Sequence, residues 1–221
     1  MRCPWTFLAF CAFSLLSPDL ANAGRNTAAP EGSTVVREMN LARQHPEVYA
    51  QLLEAQREHY RGNLFVKSGG ALLRTKEGVA GVNEAIRFLR RVRPVGALNL
   101  STGISLAAAD HVADQANGTL GHDGSDRSNP GARMNRHGSW SVRWGENLAY
   151  GKSTAREIVM ALIIDDGLRS RKHRENIFNP DFNYAGAAVG RHARYRTVCS
   201  IDFAGGYAEQ GEAPKPLFAG N

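Results

Sequence analysis

Trp144-Gly145-Glu146-Asn147-Leu148-Ala149-Tyr150-Gly151 sets a carboxylate at the opening of an apolar run. An acid in that place must point into a polar pocket, pair with an arginine or take a loop amide, because charged groups are rarely buried alone. The run from Glu146 to Tyr150 predicts a short strand. Two further segments share its polar, Gly- or Asn-marked character: Gly121-His122-Asp123-Gly124, and His173-Arg174-Glu175-Asn176-Ile177-Phe178-Asn179-Pro180. Two imidazoles and a carboxylate from separate segments are the raw material of a divalent-metal or acid–base site.

Outward from these segments the chain reads as helices first and strands late. Val35, Met39 and Leu41 give an apolar helical face from Thr34, and Pro46 restarts the helix before Val48, Tyr49, Leu52 and Leu53. Residues 58–80 are polar and glycine-bearing and form an excursion. A helix over Val82–Val92 stops before Pro94. Ser101 or Thr102 caps the next helix, with Leu106, Ala109, Ala113 and Ala116 on its apolar face and His111 and Asp114 turned to solvent. A long Gly- and Asn-rich loop from Gly121 to Gly138 follows. A further helix runs from a Ser153 or Thr154 cap through Ile158, Val159, Leu162 and Ile163, with Glu157 in its first turn. His173 opens a short helix. Tyr184–Val189 and Tyr195–Phe203 form an antiparallel hairpin in which Tyr195, Thr197, Cys199, Ile201 and Phe203 share a face. This order predicts an α+β fold in one domain, without a parallel βαβ array.

Arg2, the apolar stretch Phe7–Leu16 and Ala21-Asn22-Ala23 read as a signal peptide over residues 1–23, cleaved after Ala23 and not retained as a stable membrane anchor. Residues 24–33 read as a flexible leader, 34–207 as the domain and 208–221 as a C-terminal tail. The expected location is therefore secreted or periplasmic. Of three cysteines, Cys3 and Cys11 leave with the signal, so Cys199 has no partner and the fold must rest on its apolar core. The net charge of +6 favours acidic surroundings, yet the basic residues are scattered and no nucleic-acid module is present. There is no Gly-x-Ser-x-Gly elbow, His-Glu-x-x-His helix or Walker loop.

The loop histidine, then Gly-Glu-Asn-Leu-Ala, then His-Arg-x-Asn-Ile-x-Asn-Pro-x-Phe resembles the bacterial branch of the CAP superfamily, whose unit is the SCP domain of cysteine-rich secretory, antigen 5 and pathogenesis-related proteins. The resemblance covers most of Thr34–Gly206 and is weakest across 58–80. It implies a three-layer α-β-α sandwich with an antiparallel central sheet. It also implies a cleft lined by His122, Glu146 and His173 that holds a divalent cation, zinc being favoured by two imidazoles and carboxylates. The family's second acid has no glutamate counterpart here, and Asp165 or Asp166 is the nearest match. Ser170-Arg171-Lys172 and Leu162 stand where the family has Ser-Pro-Gly and a tryptophan. Three functions follow as expectations. The first is an extracellular binding module whose ligand is unknown, with a lipid or cell-wall polymer as the implied classes. The second is a metal-dependent hydrolase of peptides or wall polymers, with Glu146, His122 and His173 as catalytic groups, although the sequence designates no clear oxyanion donor and nothing in it supports Arg174 or the amides near Asn147 in that role. The third is a structural exported domain.

Overall fold

The structure is a computed structural model that describes residues 31–67 and 69–211. In chain order the elements are α1 (Gly32–Gln44), α2 (Pro46–Arg57), β1 (Tyr60–Arg61), β2 (Leu64–Val66), β3 (Leu72–Arg74) and α3 (Val79–Leu89). They continue with β4 (Asn99–Leu100), α4 (Thr102–Gln115), α5 (Pro130–Met134), β5 (Gly138–Tyr150), α6 (Ala155–Ile164), α7 (Lys172–Phe178), β6 (Tyr184–His192) and β7 (Arg196–Glu209). The expected signal peptide, most of the leader and most of the tail lie outside the described residues.

The main sheet has the order β4-β6-β7-β5. β6 and β7 form the expected hairpin, with Ala187 opposite Ile201, and β7 continues along β5 with Glu146 opposite Asp202. All pairings are antiparallel except the two-residue β4, which lies parallel to β6. The strand expected at 146–150 is the end of a 13-residue element that begins inside the supposed loop. Residues 58–80, expected to be an excursion, carry a second antiparallel sheet of order β1-β2-β3.

Strand alternation sends β6 and β7 residues to two different helical layers. Ala185, Ala187, Cys199, Ile201 and Phe203 join the large core made with α1, α2, α3, α6 and α7. Tyr184 and Ala204 face α4 and α5 on the other side, with Ile104, Ala107 and Met134. The result is the α-β-α sandwich. Close approach of helix to sheet needs glycine at two points. A Cβ at Gly186 would lie 2.2 Å from Ser105 N of α4, and one at Gly32 would lie 1.7 Å from Ala187 O.

Arg43 ties the first helix to the rest. Its guanidinium is buried and donates to the carbonyls of Gly96 (2.7 Å), Ile177 (2.6 Å), Asn179 (3.1 Å) and Phe182 (3.2 Å). Burial without a counter-ion lowers its pKa to about 10.

One helix is turned the other way from expectation. Leu106 and Ala109 of α4 are exposed, whereas Ile104, Ala107, Ala108, His111 and Gln115 are buried. Both sets recur at helical spacing. The sheet face beneath α4 carries Glu146, Ser200 and Asp202, so the helix presents small and polar residues there. Its N-terminus is held by Ser101, which accepts from Ile104 N (3.1 Å), and by Glu209 of β7, which accepts from Thr102 N (3.1 Å) and Gly103 N (2.8 Å).

Candidate functional site

Glu146 projects from β5 on the α4/α5 side, and its carboxylate is almost wholly buried. Arg133 of α5 donates from Nη2 to Oε2 at 2.7 Å, and Ser200 of β7 donates to the same oxygen at 3.0 Å. His122 Nδ1 lies 2.6 Å from Oε1. Arg133, also fully buried, donates from Nη1 to the carbonyls of His122 (3.0 Å) and Ser128 (2.8 Å). One arginine thus fixes both the acid and the loop that carries the histidine. Asn129 caps α5 by accepting from Ala132 N (2.8 Å), which places Arg133 on that helix.

His111 approaches from α4 with Nε2 3.9 Å from Glu146 Oε2, 2.9 Å from Gly121 O and 2.7 Å from Gln115 Nε2. Burial lowers its pKa, opposed chiefly by the Glu146 charge. Gln115 is engaged in turn by the Tyr150 hydroxyl at 2.8 Å. Asp202 is fully buried, and neither of its oxygens has a partner among the described residues. Burial, and then the neighbouring Glu146 charge, push its carboxyl well above the ordinary acid range. The neutral form of the Asp202 carboxyl is therefore favoured beside Glu146. His122 shifts upwards, first through its bond to Glu146, with burial opposing.

The second histidine stands in its own pair. Asp165 ends α6 in the left-handed region (φ 55°), a conformation Asp tolerates better than most residues. Its Oδ1 lies 2.7 Å from His173 Nδ1, and its Oδ2 accepts from His173 N at 3.0 Å. Asp166 instead accepts from the amides of Lys76 and Glu77, both at 2.7 Å, so Asp165 is the acid that meets the histidine. Asparagines join the Glu146 and His173 segments. Asn147 donates to His173 O (2.9 Å), and Asn176 donates to Glu146 O (3.2 Å) and Asn147 Oδ1 (2.9 Å). Arg174 is engaged elsewhere. It is buried, chelates both oxygens of Glu84 at 2.8 Å and stacks 4.4 Å over Phe88.

A cleft of about 560 Å³ opens over this region. His122 and Asp123 form one wall, Lys172, Asn176 and Asn179 another, and Gly145 and Glu146 contribute from β5. Arg143, Trp144 and Phe182 complete the lining on the β5 side; His173 is not part of it. A bulge between Ser141 and Trp144 presents Arg143 and Trp144 here, and it forces Val142 to φ 71°, a costly conformation for a β-branched residue.

The fit to a divalent cation is partial. Among the described residues no group of three or more His, Cys, Asp or Glu is placed to hold a metal ion. Glu146 is engaged on both oxygens and Asp165 is engaged by His173. Each imidazole meets its carboxylate through Nδ1 and keeps Nε2, the arrangement in which outer carboxylates orient a ligating histidine.

His122, Glu146, His173 and either Asp165 or Asp166 were named from the sequence, whereas Arg133, Ser200, Asp202 and His111 were not singled out for the site. The alternation of the hairpin strand offered a signal, since it sets Ser200 and Asp202 on the face opposite Cys199, Ile201 and Phe203.

No curated protein sequence matches the chain. Among solved structures, an outer surface protein from Borrelia burgdorferi is 19% identical with a TM-score of 0.42, over 50% of this chain and 78% of that one. An extracellular protein containing an SCP domain from Bacillus anthracis str. Ames is 20% identical, also with a TM-score of 0.42, over 56% of this chain and 38% of that one. The family model described as the cysteine-rich secretory protein family matches residues 83–203, more than half of the sequence and nearly the whole span from α3 to β7 that carries the site. On that match this chain belongs to the CAP family.

Proposed function

We propose that the protein is exported and serves as a ligand- or surface-binding module, with the cleft between the His122 loop and α7 as its recognition site. The composition of that cleft carries the reading. Trp144 and Phe182 offer aromatic surface, Asn129 and Asn179 offer amides, and Arg143, Lys172 and His122 are basic groups paired with Asp181, Glu175 and Glu146, with Asp123 also in the lining. A largely apolar concavity with a few oriented polar groups suits capture of a defined molecule. Aromatic faces beside amides and ion-paired polar groups suit an extracellular polymer or lipid headgroup, with a cell-wall polymer or a lipid as the classes tested. Export is supported by the N-terminal sequence. No helix among the described residues is long and apolar enough to cross a membrane.

The same proposal includes a divalent cation, zinc first, held by Nε2 of His122 and of His173. Glu146 and Asp165 then orient the imidazoles and are not ligands themselves. Bound there, the ion would supply Lewis acidity or a bridge to an anionic ligand. Hydrolysis is the weaker reading, because Glu146, the acid that would serve as base, is buried and held on both oxygens by Arg133, Ser200 and His122.

Two measurements test the proposal. Calorimetric zinc titration should give binding that disappears in the His122→Ala/His173→Ala double variant; no binding in either folded protein removes the cation. Sedimentation with purified wall polymer and with anionic vesicles should show retention that falls in an Arg143→Ala/Trp144→Ala variant. Unchanged retention in that variant sinks the cleft as the recognition site.

A further inference from the structure

A second cavity lies away from this cleft, where the segment preceding the family match closes on the matched domain. The small sheet β1-β2-β3 is docked to the end of α6 by Asp166, through the amides of Lys76 and Glu77, and by Glu77, which accepts from Arg171 (2.7 Å) and from Gly167 N (2.7 Å). Between sheet and helix is a recessed space of about 160 Å³. That is several times the volume one water requires. Phe65 and Leu73 line it from the small sheet, Tyr60 from its first strand, and Ile164 from α6.

Three cations line the same space: Lys67, Arg74 and Lys152. None of them makes a side-chain hydrogen bond or ion pair among the described residues. Lys152, in the turn between β5 and α6, is the deepest. Burial lowers its pKa and the nearby Lys67 charge lowers it further, while Glu157 and Asp166 oppose. Those two carboxylates are already committed. Glu157 accepts from the amides of Ser153 (2.8 Å) and Thr154 (3.2 Å) as part of the α6 cap, and Asp166 holds the amides at 76 and 77. Lys67 and Arg74 are exposed and Lys152 is half-buried. With Glu157 and Asp166 also in the lining the cations still outnumber the carboxylates, so an anion placed among the three cations relieves their mutual repulsion. Arginine and lysine together are the usual recognition groups for carboxylate and phosphate.

We propose that this cavity is a binding site for a small organic anion, whose carboxylate or phosphate sits among Lys152, Lys67 and Arg74 and whose short apolar body packs on Phe65, Leu73 and Ile164. The site is independent of the His122 cleft.

Calorimetric titration of the purified protein with butyrate, propyl phosphate, inorganic phosphate and the neutral butyramide tests it. Saturable one-to-one binding of butyrate or propyl phosphate is expected, with butyramide silent and inorganic phosphate weaker for want of an apolar body. The stronger of the two organic anions identifies the head group. Lys152→Met keeps the apolar stem and should weaken binding by about tenfold or more, whereas His122→Ala should leave it unchanged. Lys67→Met, at an exposed position, reads the same contact should the Lys152 variant fail to fold. The proposal is overturned by silence from all three anions, by equal binding of butyramide, or by undiminished affinity in the folded lysine variants.

Discussion

Towards α1 and α6, the inward residues of β6 and β7 are Ala185, Ala187, Cys199, Ile201 and Phe203; towards α4 and α5 they are Gly186, Ser200, Asp202 and Ala204. The first set buries apolar surface and needs no partners. The second is shallow in side-chain bulk and buries groups that must be matched one by one. Both faces contain a buried arginine, and the contrast holds there too. Arg43 donates to four backbone carbonyls and fastens elements together, whereas Arg133 meets a carboxylate and the loop that carries the site histidine. One face of the sheet makes the domain stand, and the other makes it specific.

The sharpest way to break this contrast is Arg133→Met. It leaves Glu146 buried beside Asp202 without its cation, so a loss of about 3–5 kcal/mol is expected in denaturant unfolding. An unchanged midpoint would mean that the polar face is not an obligatory network. Next comes Gly186→Ala, which drives a Cβ into the α4 backbone; overpacking of this kind costs about 1–3 kcal/mol. Because α4 carries His111, that variant should also shift the cleft, visible as altered His122 chemical shifts.

Asp202→Asn tests the protonation assignment. An acid held protonated in the fold loses stability to the unfolded state as pH rises above its ordinary value, because only the unfolded chain then releases the proton. The variant should match the native protein within about 1 kcal/mol at low pH and gain on it steadily towards neutral pH. A constant difference across that range would show that Asp202 is ionised. The smallest effect belongs to His122, whose side chain is about half exposed. Its raised pKa gives stability that is complete below the ordinary histidine value and fades as pH rises through the shifted one. After allowance for solvent screening this amounts to about a few tenths of a kcal/mol, and His122→Ala should flatten that part of the stability–pH curve.

The same contrast explains what could be read from the chain alone. Helices and the late hairpin were legible because apolar periodicity reports burial against an apolar layer, as at Ile158, Val159 and Leu162 or Cys199, Ile201 and Phe203. The first histidine–carboxylate pair and the Asp165 option were legible from segment character and family resemblance. Helix α4 misled, since alanines at spacings of three and four mark both of its sides and the buried side carries His111 and Gln115. Strand alternation marked the face of Asp202, but Arg133 gave no local signal. A buried charge is identified by its partner, and Arg133 meets Glu146 from a separate element.

The bulge at Ser141–Trp144 also bears on how copies of the protein meet. β5 is the outer strand of the sheet, and a long exposed edge offers unpaired amides and carbonyls to any neighbouring chain. The register shift, the left-handed turn at Val142 and the charged Arg143 interrupt that edge at the surface. A second molecule therefore finds no straight strand to extend there, so the kink that presents Trp144 to the cleft also guards the chain against edge-to-edge aggregation.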